Sequence, residues 1–378
     1  KLRKYSARIN AITIPDYFSK RYNDKNRLIM AVAAFMIIVF FVPYTASGFA
    51  ACGKLFGTLL GIDYHIAMIV SAIVIVGYTS LGGFNAASMT DFIQSIIMTV
   101  ALIIVLAFGI NQAGGMEQVI MNAKNLPGYL DFFEGYNAAT NSAGSYGAIK
   151  VISTLAWGLG YFGMPQVLLR FMAIRKSSEL KRSRRIATVW VLISVTAAVS
   201  IGVLGRYILP ADAGLATQSG AENVFAHLSQ LLFHPVIAGV IMAGILAATI
   251  SSSDSYLLIA ASAVSKNLFE GIIKKDATDK QVMRVSRIML LAITGMVIAW
   301  NENSIIFEIV SFAWSGFGAT FGPIMIFSLF WKRTNRAGAI AGMIAGGSMV
   351  FIWKLLLKPL GGVFGIYELL PAFLISSI

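Results

Sequence analysis

The feature that most constrains this chain is a succession of apolar runs, each long enough to cross a lipid bilayer. A membrane helix needs about 20 mostly apolar residues to span a ~30 Å hydrocarbon core. Ten runs meet that length: 28–50, 62–81, 91–110, 148–172, 187–209, 235–265, 285–301, 305–331, 336–357 and 366–378. The last is short because the sequence stops inside it, and 235–265 is long enough to tilt or extend beyond the bilayer. In lipid, backbone polar groups must be satisfied within the segment, so the runs are expected to be helices. The expectation is an all-α polytopic membrane protein, one transmembrane domain over 1–378. Composition agrees, with 57% hydrophobic and 12% charged residues against roughly 45–50% and 25% in soluble domains.

Charge placement tests the count. Lys and Arg concentrate in cytoplasmic loops, and 24 of the 30 basic residues fall in four regions: 1–27, 170–187, 266–287 and 332–336. Ten spans put all four on one side, with residue 1 facing the cytoplasm. The net charge of +13 is then a topology signal, and no nucleic-acid partner is expected. The remaining six cations, such as Lys54 and Lys358, sit outside or near outer helix ends, where their stems snorkel. Two longer outer loops, 111–147 and 210–234, read as partly ordered surface caps. No Asn-x-Ser/Thr acceptor occurs, which points toward a bacterial inner membrane.

Two stretches depart from ordinary membrane helix. Trp157-Gly158-Leu159-Gly160-Tyr161-Phe162-Gly163-Met164-Pro165 holds three glycines and a proline, which cost a helix about 1 and 3 kcal/mol each relative to alanine. Such a break exposes carbonyls and helix ends to a solute in secondary transporters; the alternative is a kinked packing helix with glycines for close approach. If helical, Trp157, Tyr161 and Pro165 would share a face. The second stretch is Ala247-Ala248-Thr249-Ile250-Ser251-Ser252-Ser253-Asp254-Ser255-Tyr256, a carboxylate among five Ser and Thr hydroxyls at membrane depth. Ala248, Ser251 and Ser252 lie at i, i+3 and i+4, so a carbonyl and two hydroxyls converge on a hard cation such as sodium; the alternative is hydroxyls bonding back to their own helix. Asp91 reads either as a functional carboxylate or as the cap of the span it opens. Tyr44, beside Pro43, is a candidate cavity aromatic.

No catalytic set is visible, so no enzyme is expected. Cys52 is the single cysteine, and His65, His227 and His234 are scattered, which leaves no zinc pattern. No obligate protein partner is evident.

Several segments together carry a resemblance: Ile14-Pro15-Asp16-Tyr17-Phe18, Tyr78-Thr79-Ser80-Leu81-Gly82-Gly83-Phe84, Thr90-Asp91, and Trp157 to Gly163 with Pro165. To these add Arg170-Phe171-Met172-Ala173, Ile245 to Ala248 with Ser251-Ser252, Ala313 to Ala319 with Phe321-Gly322-Pro323, Arg336 to Ala339, and Tyr367-Glu368 near Pro371. The chain resembles the sodium/solute symporter family, most closely its bacterial sodium/proline members, along essentially its whole length. The resemblance implies an inverted-repeat, five-plus-five, leucine-transporter-like fold. It implies sodium held by the Ala248 carbonyl with Ser251 and Ser252, a position where relatives often carry Thr in place of Ser252. It implies a solute site at Trp157, Tyr161, Pro165 and Tyr44, and a candidate second sodium at Asp91, Ser251, Asp254 and Ser255. Sodium is then cargo, and the expected activity is sodium-coupled import of L-proline by alternating access. The alternatives are another small zwitterionic solute or a transporter-like sensor. The resemblance also implies three N-terminal helices not present in these residues, so that the chain by itself is expected to present half of each site.

Overall fold

The computed structural model describes residues 1–138, 140–209, 215, 217–298 and 305–378, with the side chains of 81–86, 219, 297 and 298 left out. The motif side chains at 81–84, the end of the expected span 285–301 and the start of the outer loop at 210 therefore lie outside the described residues.

The described residues are almost entirely helical. In chain order the helices are α1 (Leu2–Arg8), α2 (Ile14–Arg21), α3 (Leu28–Leu60), α4 (Tyr64–Gln112) and α5 (Met116–Asn125). After a hairpin of β1 (Glu134–Asn137) and β2 (Ser142–Ser145) come α6 (Ala148–Gly160), α7 (Pro165–Ala173), α8 (Leu180–Ile208), α9 (Gln218–Ala221) and α10 (Val224–Leu232). The chain closes with α11 (Pro235–Ser262), α12 (Asp279–Ile298), α13 (Ile306–Phe330), α14 (Arg336–Ile352) and α15 (Leu369–Ser377). β1 and β2 pair antiparallel, Glu134 opposite Ser145, within the loop 111–147.

Local chemistry explains the boundaries. α3 outruns the expected 28–50 and stops where Gly61 adopts φ 63°, the left-handed conformation that ends helices. α2 begins with the Thr13 side chain accepting from the Asp16 amide and Pro15 in the first turn, a favourable start. α11 passes into a π-helical stretch, Ala263–Ile273.

The expected spans 62–81 and 91–110 both fall in α4. A straight helix of its 49 residues would extend about 74 Å, more than twice the hydrocarbon core. Its contacts show that the two halves run in opposite directions. Tyr44 stacks on Tyr256 and Gly48 abuts Ser253, so α3 is antiparallel to α11 and its Gly53 end points toward Pro235. Tyr64 lies against Gly53 and Tyr78 reaches Asp254, which takes the first half away from Pro235. Asp91 then meets Ser255 and Ala101 abuts Gly244, which brings the second half back.

Helix contacts use small residues against backbone or ring. A Cβ at Gly316 would sit 2.1 Å from the Phe40 ring, and one at Gly346 would sit 2.4 Å from the Ala319 carbonyl oxygen. Such close approach is how helices associate when lipid removes the hydrophobic drive. The main core gathers Phe40, Phe41, Phe317 and Phe321 between α3 and α13, and a second cluster joins Leu55, Ala101, Val105, Leu204, Leu228 and Ile241. Outward faces are apolar instead of charged: Ile73 is 66% and Leu192 67% exposed. Contiguous apolar exposure of this kind is a membrane-facing surface.

Candidate functional site

The 157–165 stretch does break. α6 ends at Gly160, residues 161–163 form a turn, and Pro165 opens α7. The turn is closed by Gly163 N–H donating to the Gly160 carbonyl at 2.9 Å and Phe162 N–H to that of Leu159 at 3.3 Å. Pro165 suits the first helical position, where its missing N–H costs nothing. The glycines also pack: a Cβ at Gly163 would meet the Phe317 carbonyl oxygen at 2.2 Å, and one at Gly160 the Trp314 Nε1 at 1.9 Å. The stretch is therefore broken, and its glycines also serve close packing against α13. The break also cancels the helical register, so Trp157, Tyr161 and Pro165 do not share one helix face.

Contacts from α13 replace that face. Trp157 is stacked among Phe307, Trp314 and Tyr367, with ring centroids at 5.4, 5.6 and 5.6 Å. Tyr161 meets Trp314 edge-on at 4.8 Å and is 57% exposed, the most accessible of the four aromatic and proline positions. Pro165 is buried. Tyr44 is buried, 4.0 Å from Tyr256 and 6.4 Å from Phe317, and Phe317 carries the carbonyl that abuts Gly163.

In α11, the Ser251 and Ser252 hydroxyls donate to the Ala248 carbonyl at 3.0 and 3.2 Å. The three oxygens are brought together, in the back-bonded arrangement. Ser251, Ser252 and Ser255 line a cleft of about 910 Å³ with Asp91, Gln166, Arg170, Trp190 and Tyr256. Asp254 does not line it: its carboxylate is fully buried and accepts from the Tyr78 hydroxyl at 2.8 Å. Asp91 lies inside α4 and caps no helix start. It is ion-paired with Arg170 and accepts from Ser255 at 3.4 Å, while its Oδ1 is buried without a partner. Among the described residues no group of three His, Cys, Asp or Glu could hold a metal, so a cation here relies on hydroxyls, carbonyls and single carboxylates.

Sequence reasoning did not place Arg170, Tyr256 or Trp314 in the site. Arg170 was counted with the loop cations, although it lies only five residues past Pro165 on the same half-helix. Trp314 lies within the Ala313 to Ala319 segment that carries the resemblance, but nothing in those residues alone assigns it a role at the site.

The sequence pattern of the sodium:solute symporter family matches residues 2–346. The chain belongs to this family. It is 39% identical over 383 residues to the osmoregulated proline transporter OpuE of Bacillus subtilis, covering 100% of this chain and 75% of that protein. It is 37% identical over 377 residues to a sodium/proline symporter of Staphylococcus aureus, covering 98% and 71%. Its fold matches the outward-open, substrate-bound structure of a Na⁺-coupled sialic acid symporter with a TM-score of 0.73 at 16% identity, over 99% of this chain and 78% of that one. The all-α, multi-pass, inverted-repeat architecture expected from the sequence is thus the fold of this chain, and its family is one of transporters, with sodium the coupling ion rather than a prosthetic group.

Proposed function

We propose that the protein imports L-proline by sodium-coupled symport. The observation that carries this reading is that Ser251 and Ser252, whose hydroxyls share the Ala248 carbonyl, line a cleft beside a broken helix. A sodium ion there attracts hydroxyl lone pairs once the O–H bonds rotate off the Ala248 carbonyl, replacing weak back-bonds with ion–dipole contacts. These are three ligands; a hard cation takes six or so, and the others come from a facing helix. The names of the relatives in Bacillus subtilis and Staphylococcus aureus support proline as the solute.

Proline offers a pyrrolidine ring with apolar faces and a cationic nitrogen, both of which suit an aromatic face such as Tyr161. Arg170 enters the cleft with its charge answered by Asp91, and in the same cleft Arg175 is paired with Glu179 while Arg182 also lines the wall. A second sodium at Asp91, Ser251, Asp254 and Ser255 would displace Arg170 from Asp91, while Asp254 would have to turn from Tyr78. One sodium entering at 100 mV contributes about 2.3 kcal/mol, which is roughly fiftyfold accumulation at 1.4 kcal/mol per tenfold. The ten-span domain lies in a bacterial inner membrane with residue 1 in the cytoplasm.

The test is labelled L-proline uptake by the full-length protein in liposomes, under an inward sodium gradient and again with potassium in its place. Sodium-dependent accumulation supports the reading. Proline binding without accumulation replaces it with a sensor, and no proline response together with sodium-dependent thermal protection replaces proline with another small zwitterion.

A further inference from the structure

Trp314 occupies an unusual position. It belongs to α13, yet three of its contacts fall on the broken segment. Its Nε1–H donates to the Trp157 carbonyl at 3.0 Å, one of the last four carbonyls of α6, which no longer have a helical partner. Its ring lies over the Trp157 ring at 5.6 Å and against the Tyr161 ring at 4.8 Å and 87°. The indole also fills the space that a side chain at Gly160 would need, with Nε1, Cδ1 and Cε2 within 1.9, 2.5 and 2.7 Å of that absent Cβ. The glycine, the freed carbonyl and the two aromatic rings are thus all matched to one side chain.

We propose that Trp314 is the specificity-determining positioning residue of the solute site, setting the orientation of Tyr161 and holding the end of α6 in its broken form. This rests on the symport reading above. The physical argument has two parts. A partly buried carbonyl without a donor is costly at membrane depth, so without the indole N–H the segment gains by shifting Trp157 toward another donor. Tyr161 is more than half exposed and belongs to a turn instead of a helix, so the backbone alone does not hold its ring. An edge-on contact against a fixed indole does. The aromatic face offered to a ring-shaped solute is therefore placed by α13, an element more than 150 residues away in the chain. Movement of α13 against the broken helix changes that face, which links solute fit to the conformation of the molecule.

The experiment compares Trp314→Phe, which keeps a ring and loses the donor, with Trp314→Gln, which keeps a donor and loses the ring. Trp331→Phe, at the exposed cytoplasmic end of α13, serves as control. In liposomes, each Trp314 variant is expected to raise the proline KM about tenfold, the loss of one buried hydrogen bond or aromatic contact, with kcat within about twofold and sodium half-saturation unchanged. Discrimination of proline over valine, an acyclic amino acid of similar size, is expected to fall, and Trp331→Phe to match the parent. An unchanged KM and selectivity in both Trp314 variants would overturn the proposal, as would an equal loss of kcat with KM intact. A solute-independent arm separates this from failure of the proline reading. Tyr161→Cys in a Cys52→Ala background is alkylated with a maleimide, with and without Trp314→Phe. A several-fold change in rate supports the positioning role even if no proline moves, and identical rates sink it even if proline does.

Discussion

Ser251 and Ser252 donate to the same carbonyl, a geometry that a purely structural serine also adopts. What separates them from Ser253 is direction. Ser253 is buried against Gly48, while Ser251 and Ser252 open to the cleft. On the proposed symport, Ser251→Ala would remove one hydroxyl from the ion, a loss of about 1.5–3 kcal/mol for a charged partner. It is expected to raise the sodium concentration for half-maximal uptake roughly ten- to hundredfold while leaving the melting temperature almost unchanged; Ser253→Ala should do neither. Sodium titration of uptake beside a thermal shift assay checks both. Gly163 gives a different kind of prediction. A methyl there would come within 2.2 Å of the Phe317 carbonyl oxygen and 2.8 Å of the Gly322 nitrogen, both backbone atoms that cannot swing aside. Gly163→Ala is expected to destabilise by about 3 kcal/mol, the upper end for overpacking, whereas Gly158→Ala, which meets nothing within 4 Å, should be tolerated. Thermal unfolding in detergent distinguishes them.

At the scale of the element, α11 works on two sides. One turns Ser251, Ser252 and Ser255 to the cleft, and the other turns Ser253 toward α3 and Asp254 toward Tyr78. The sequence showed that this helix carries a dense polar run, because hydroxyls and a carboxylate at membrane depth are conspicuous in any order. It did not show that Asp254 and Asp91 have different partners, since both are simply carboxylates near the same run. The structure separates them: Tyr78 donates to Asp254, and Arg170 faces Asp91. Asp254→Asn keeps an acceptor for the Tyr78 hydroxyl and is expected to leave sodium dependence within about threefold, a change below 1 kcal/mol. Asp91→Asn, which leaves Arg170 without a counter-charge beside Ser255, is expected to shift it more. Sodium activation curves for the two variants decide the matter, and a larger effect at Asp254 would return that carboxylate to the ion site.

Across the whole molecule, polar ties fasten the N-terminal segment to distant helices. Arg3 donates to the backbone carbonyls of Ile174 and Arg175 just past α7, Arg21 to that of Ser328 in α13, and Arg336 of α14 pairs with Asp24 at 2.7 Å. The Asp24 carboxylate is fully buried and also accepts from the Ile29 amide at 2.7 Å, so it fixes the start of α3. Arg336→Met would strand that buried charge. The expected cost is about 3 kcal/mol, the scale for breaking a buried pair, measured as a lowered unfolding midpoint that Asp24→Asn in the same chain partly restores. The sequence by itself determined that this chain is a set of membrane helices, one weakened by glycine and proline over 157–165 and another carrying a polar run. Those are local properties: apolar length dictates a span, and glycine and proline weaken a helix wherever it is packed. Tertiary structure alone decided that the second half of α4 packs along α11, that Trp314 fills the Gly160 notch, and that Arg170 answers Asp91. These pairs lie 79 or more residues apart, and a helical period says which face a residue is on without saying which helix that face will meet.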